Sequence, residues 1–69
     1  MSLHEYRVGR ELWLADPPFY SLIMAAMRRA DTDNLAKLIR AWPEVHAELA
    51  ARYNAPGSRL PDDPAEATA

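Results

Sequence analysis

The chain contains no cysteine and only two glycines, and its net charge at pH 7 is −2. Without cysteine it forms neither a disulfide nor a thiolate metal site, which fits a reducing compartment. The small net charge gives no general argument for binding nucleic acid or an anionic membrane. Its longest apolar stretch is far shorter than the roughly 20 residues that span a membrane. We therefore expect a cytoplasmic protein with no membrane partner.

With 69 residues, the chain has room for a single domain. A core of this size rarely contributes more than roughly 3–5 kcal/mol to stability. Because no disulfide reinforces it, either tight helix packing or self-association must stabilise the fold. The hydrophobic fraction of 49% is ordinary for a globular protein.

Residues 16–34 combine two helix start signals with an apolar helix between them. Asp16 is suited to cap the first turn, and Pro17 or Pro18 is suited to the first helical position. The residues of one face recur at helical spacing: Phe19, Ile23, Ala26, Met27 and Ala30. This pattern predicts a helix over 17–30.

Two further helices are predicted after a very short connection. Either Asp31 or Thr32 is suited to cap a helix over 32–41, and Pro43 opens another over 43–54. A residue that precedes proline is disfavoured in a helix, so the first of these helices must end next to that proline. The facing stripes of the helices predict the core: Phe19, Ile23, Met27, Leu35, Leu38, Ile39, Trp42, Val45, Leu49 and Tyr53.

Residues 1–15 fit two patterns. Apolar side chains alternate in a strand-like way, while Ser2 and Glu5 are placed for a capping box of a short helix that presents Leu3, Tyr6 and Trp13. Because the chain has no second strand candidate, we expect a short helix or an extended arm that packs on the other helices through Trp13.

The predicted fold class is all-α. A small three-helix bundle at 16–57 follows the N-terminal arm or short helix at 1–15. Residues 58–69 are rich in proline and acidic residues, a composition that predicts a disordered, flexible acidic tail.

The sequence contains little that fits a catalytic or metal site. His4 and His46 are too far apart in sequence to predict a metal site. Residues 31–34 are faintly similar to a calcium loop, but the central glycine is missing and Trp42 stands at the twelfth position. Phosphate-binding and nucleophile motifs are also missing. We therefore expect no enzyme, with no catalytic residue, no cofactor and no metal.

Two surfaces are candidates for binding. The helix over 17–30 has more apolar side chains than one packed face can bury, and exposed apolar patches mark partner sites. A protein partner, or a second copy in a homodimer, is thus expected at Tyr20, Leu22 and Met24. The alternative is a helix-turn-helix-like module that binds nucleic acid through a basic set: Arg28, Arg29, Lys37 and Arg40. Asp31 and Asp33 weaken that alternative, because they lie where a recognition helix would face phosphate.

Three segments carry a resemblance to known proteins: the run from Asp16 to Asn34, Trp42-Pro43-Glu44, and the run from Arg52 to Gly57. Over residues 10–60 the chain resembles small proteins encoded by actinobacterial phages and prophages, a family without an assigned activity. The resemblance implies a small phage accessory protein that acts by binding in the host cytoplasm, and it implies no functional residue. A protein-binding module, acting as an inhibitor or an assembly factor, is the predicted function.

Overall fold

The chain is all-α in the part that its structure, a computed structural model, describes: residues 1–61 and 63. Those residues contain four α-helices, a short 3₁₀ turn and no β-strand. The elements are α1 (Leu3–Leu14), α2 (Phe19–Arg29), α3 (Thr32–Ala41), α4 (Pro43–Asn54) and the turn Pro56–Ser58. The all-α class predicted from the sequence is confirmed.

The N-terminal segment forms a helix of 12 residues, α1. Ser2 caps it, because its Oγ accepts a hydrogen bond from the backbone amide of Glu5 at 3.1 Å. The alternating, strand-like pattern is therefore wrong for this segment. Within the described residues α1 packs against none of the other helices, and Trp13 is 52% exposed. The expectation that this segment packs on the other helices through Trp13 is also wrong.

The link between α1 and α2 explains why α1 stays apart. Asp16 adopts a left-handed conformation with φ 54°, and Pro18 is extended with φ −58° and ψ 144°. Proline fixes its own φ and also pushes the residue before it away from helical backbone, so Pro17 and Pro18 together hold the link extended. This geometry directs α1 away from α2.

The same prolines set the start of α2. Pro17 precedes another proline and is disfavoured in a helix, so α2 begins at Phe19 and not at a proline. The carbonyl of Pro18 accepts the amide of Ser21 at 3.1 Å. Among the described residues no side chain caps this helix, so the predicted cap by Asp16 is wrong.

The next two helices, α3 and α4, coincide with the predicted spans. Asp31 caps α3, because its Oδ1 accepts the backbone amide of Asn34 at 2.9 Å. Trp42, with φ −135°, ends α3, and Pro43 is the first residue of α4. The helices α2, α3 and α4 contact one another in every pairing.

Met27 and Val45 lie at the centre of these contacts, 4% and 7% exposed. They are the two buried residues of the described chain, one in α2 and one in α4. Most other predicted core positions are half-buried: Ile23, Leu35, Leu38, Ile39, Trp42 and Leu49.

Two predicted core positions are wrong, because Phe19 is 57% exposed and Tyr53 is 68% exposed. Phe19 stands in the first turn of α2, where its ring meets Trp42 edge to face at a centroid distance of 6.1 Å. Tyr53 stands in the last turn of α4, where the guanidinium of Arg28 lies 4.8 Å from its ring centroid. Both rings therefore cover the ends of the core instead of filling it.

Arg52 holds the segment after α4. It donates two hydrogen bonds of 2.7 Å to the carboxylate of Asp63 and one of 2.9 Å to the carbonyl of Ser58. The bonds from Arg52, followed by that from the Leu60 amide, hold the pKa of Asp63 well below its usual range. Residues 62 and 64–69, which belong to the predicted tail, lie outside the described residues, so the tail stays a prediction.

Candidate functional site

A groove of about 290 Å³ lies between α2 and α4. Tyr20 and Met24 line it from α2, and Glu44, Val45 and Glu48 line it from α4. Residues four apart lie on one face of a helix, so each helix presents a matched pair to this groove. Val45 forms a buried floor, whereas Tyr20 is 52% exposed.

The rim of the groove is acidic. Glu48 accepts a hydrogen bond from Nε of Arg52 at 3.3 Å, so its charge is partly compensated. Among residues 1–61 and 63, Glu44 has no ion-pair partner. The residues that line the groove include two carboxylates and no cation. A positively charged group is therefore favoured beside the apolar floor.

The groove suits side chains better than a free ligand. Pockets for small molecules usually measure about 300–1,000 Å³ and enclose most of the ligand. At about 290 Å³ this groove is at the lower limit of that range. It has room for one or two large apolar side chains from a partner, which the aromatic ring of Tyr20 and the flexible side chain of Met24 are suited to contact.

The structure brings together two of the three residues predicted to bind a partner. Tyr20 and Met24 both line the groove, but Leu22 does not. Residues two apart on a helix point in different directions, and Leu22 is half-buried on another side of α2. The residues of α4 were missed, although Glu44 and Glu48 are spaced four apart and so share a face of that helix.

The four basic residues of the alternative site, Arg28, Arg29, Lys37 and Arg40, are all exposed. Arg28 lies over the ring of Tyr53. At the start of α3, the carboxylate of Asp31 accepts the amide of Asn34, so negative charge occupies the end of the helix that would approach phosphate. Binding of nucleic acid by this basic set stays a prediction.

Neither histidine belongs to a cluster. His4 is exposed in α1, and His46 is half-buried in α4. The described residues contain no group of three or more histidine, aspartate or glutamate side chains placed to hold a metal ion. In the same part of the chain, every helix is too short or too polar to cross a membrane.

No protein-family model, curated protein or solved structure matches this chain. The function must therefore be inferred from the groove and from the charges and exposed surfaces of the chain itself. The resemblance to phage proteins stays a prediction.

Proposed function

We propose that this chain is a protein-binding module whose groove between α2 and α4 receives a positively charged, amphipathic helix. In this proposal α2, α3 and α4 act as a three-helix bundle that holds the groove. The protein acts in the cytoplasm by binding, as an inhibitor or assembly factor does, with no catalytic step and no cofactor.

The observation that carries the proposal is the composition of the groove. Tyr20 and Met24 offer an apolar, aromatic surface of the kind that is enriched in protein interfaces. Glu44 stands next to this surface without an ion-pair partner among the described residues. Apolar anchors combined with one sign of charge select a helix that carries large apolar side chains and the opposite charge.

Site-specific photo-crosslinking tests the proposal. A photoreactive phenylalanine analogue replaces Tyr20 in the full chain, and the same analogue at Tyr53 is the matched control. Both positions are exposed tyrosines, 52% and 68%, but Tyr53 does not line the groove. In an extract of the source cells, or with purified chain, we expect protein adducts from position 20 and not from position 53. Glu44→Lys should abolish the adducts from position 20, because it places a positive charge against a positively charged helix.

Two results would overturn the proposal. One is equal crosslinking from positions 20 and 53, which would mean that the groove is not the binding surface. The other is tight binding to duplex DNA that weakens steeply between two salt concentrations and is lost in Arg28→Ala or Lys37→Ala. That second outcome would assign the function to the basic set, because release of counterions from phosphate gives this dependence on salt.

A further inference from the structure

α1 is a helix without a packing partner in the described chain. All its large apolar side chains are exposed: Leu3, Tyr6, Val8, Leu12, Trp13 and Leu14, between 40% and 62%. An isolated helix shorter than about 12–15 residues is marginal in water, because its nucleation is costly. With 12 residues, α1 therefore needs contacts that the described residues of its own chain do not supply.

One face of α1 is both apolar and basic. Leu3, Tyr6, Arg10 and Trp13 are spaced i, i+3, i+7 and i+10, which places them on a single stripe. The rings of Tyr6 and Trp13 meet edge to face at a centroid distance of 5.7 Å. Arg10 lies between those rings along the stripe, while Glu5 and Glu11 lie outside it. This stripe has the chemistry that the groove favours.

The groove and the stripe are complementary in charge. Glu44 and Glu48 line the groove, and the stripe carries Arg10 and no acidic residue. Within residues 1–61 and 63, neither Arg10 nor Glu44 has an ion-pair partner. Each surface therefore supplies what the other lacks: a cation for the groove, and an apolar, acidic site for the stripe.

The link between the helices holds α1 away from the groove of its own chain, since in the described chain α1 contacts none of the other helices. Tyr20 lies at the start of α2, only a few residues after the link, so α1 would have to fold straight back over α2. Pro17 and Pro18 oppose that reversal, because the link is extended, with ψ 144° at Pro18. The α1 helix of a second copy meets no such restriction.

A two-fold dimer would also cover the exposed side chains of α1. Six large apolar side chains of this helix are each at least 40% exposed, and a standard interface buries roughly 800 Å² of each partner. A two-fold dimer buries both α1 helices and both grooves at once, since α1 of each copy meets the groove of the other.

We infer that the groove of one copy receives α1 of a second copy, and the second groove receives α1 of the first, in a two-fold dimer held by the stripe Leu3–Tyr6–Arg10–Trp13. Arg10 of each copy then faces Glu44 of the other. This inference rests on the proposed function, because it names the helix that the groove binds.

Charge reversal in the full chain tests the pairing. In the Arg10→Glu homodimer the new carboxylate faces Glu44, and in the Glu44→Arg homodimer Arg10 faces a second guanidinium. Each variant alone should dissociate at least tenfold more readily than the wild type in sedimentation equilibrium. In an equimolar mixture of the two variants, the heterodimer sets the carboxylate introduced at position 10 of one copy against the guanidinium introduced at position 44 of the other. Its second half-site keeps the wild-type pair of Arg10 and Glu44.

A double variant should restore the pairing within a single kind of chain. The double variant Arg10→Glu with Glu44→Arg sets a carboxylate of one copy against a guanidinium of the other at both half-sites. We therefore expect the double variant to form homodimers of near wild-type affinity, although each single variant is weakened. Mixing the two single variants should also restore affinity, because both half-sites of that heterodimer hold groups of opposite charge.

Matched controls separate pairing from general charge effects. Lys37→Glu is the control for Arg10→Glu, because it places a carboxylate on the exposed surface of α3. Asp33→Arg is the control for Glu44→Arg, because each places a guanidinium in the first turn of a helix. Both controls should dimerise like the wild type. Circular dichroism of all variants should keep the helical signal of α2–α4, because every substituted residue is exposed.

The outcomes distinguish this inference from the proposed function. A wild-type chain that is monomeric across the micromolar range, or a double variant that associates no better than the single variants, would overturn the second-copy inference. If position 20 still crosslinks to a different protein in the extract, the groove keeps its proposed function with another helix. If position 20 crosslinks neither to a second copy nor to another protein, both proposals fail.

Discussion

Truncation of Met27 to alanine tests the centre of the fold. Met27 is 4% exposed, so alanine removes almost the whole side chain from a packed site that joins α2 to α4. Methionine-to-alanine changes at buried sites cost about 2–5 kcal/mol. A core of this size supplies roughly 3–5 kcal/mol. We therefore expect the Met27→Ala chain to be largely unfolded in buffer without denaturant.

Urea titration followed by far-ultraviolet circular dichroism measures the effect. Protein concentration is held fixed, because association with a second copy raises apparent stability. Met24→Ala is the matched control, since it makes the same truncation on the same helix at a half-buried position. It should cost less than Met27→Ala. Met27→Leu keeps most of the volume and should cost less than about 1.5 kcal/mol.

The reasoning is refuted if truncation of Phe19 costs more stability than truncation of Met27. The sequence pattern places both in the core, where truncation of a phenylalanine costs about 3–5 kcal/mol. In the structure Phe19 is 57% exposed, so less than half of a side chain of roughly 200 Å² is buried, worth about 2 kcal/mol. If Phe19→Ala unfolds the chain while Met27→Ala leaves its urea midpoint unchanged, the described packing is wrong.

Local contacts give three more predictions. Asp31→Ala removes the acceptor of the Asn34 amide and should lower the free energy of unfolding by about 1 kcal/mol in urea titration. Gly57 has φ 61°, and an added methyl group would meet no atom there within 4 Å, so Gly57→Ala should cost about 1–2 kcal/mol from backbone strain alone, again by urea titration. In a pH titration by nuclear magnetic resonance, the Asp63 carboxyl should titrate below its ordinary pKa of about 3.9. Because the pKa of Asp63 is lower in the folded chain, its pairing with Arg52 stabilises the fold above the ordinary pKa. This stabilisation is lost as pH falls through the folded pKa. Arg52→Gln removes the pairing and should raise the pH midpoint of the Asp63 titration.

The bounds of α3 and α4 were predictable because local chemistry sets them. Asp31 is an N-cap residue, and Pro43 both ends one helix and begins the next. Neither signal depends on how the helices pack. The cap at Ser2 is local in the same way, and the capping-box interpretation of the N-terminal segment relied on it.

Burial at the helix ends was not predictable from periodicity. The helical repeat assigns Phe19 and Tyr53 to the core face, but it does not say how far along each helix the packing extends. Phe19 is in the first turn of α2 and Tyr53 in the last turn of α4, and both remain more than half exposed. Met27 and Val45 lie on the predicted core face and also within the packed part of their helices, so both are buried.

The groove was half predictable for a related reason. An excess of apolar side chains on α2 identifies Tyr20 and Met24 as partner candidates from the sequence alone. The acidic residues Glu44 and Glu48 join them only because α2 packs beside α4, a pairing that no local pattern encodes. The sequence therefore predicts a binding surface, and the packing adds the acidic residues on which the proposed charge of its partner depends.

The link Pro17–Pro18 connects the folding of α1 to the association of the chain. A helix of 12 residues is marginal by itself, and the extended link keeps α1 from packing on α2 of the same chain. Residues 1–61 and 63 supply no helix that packs against α1, and in the proposed dimer a second copy supplies these contacts. Under the proposed dimer, the ordering of α1 and the occupation of the groove are one equilibrium, so the helix content of residues 3–14 rises with protein concentration, whereas that of α2–α4 does not.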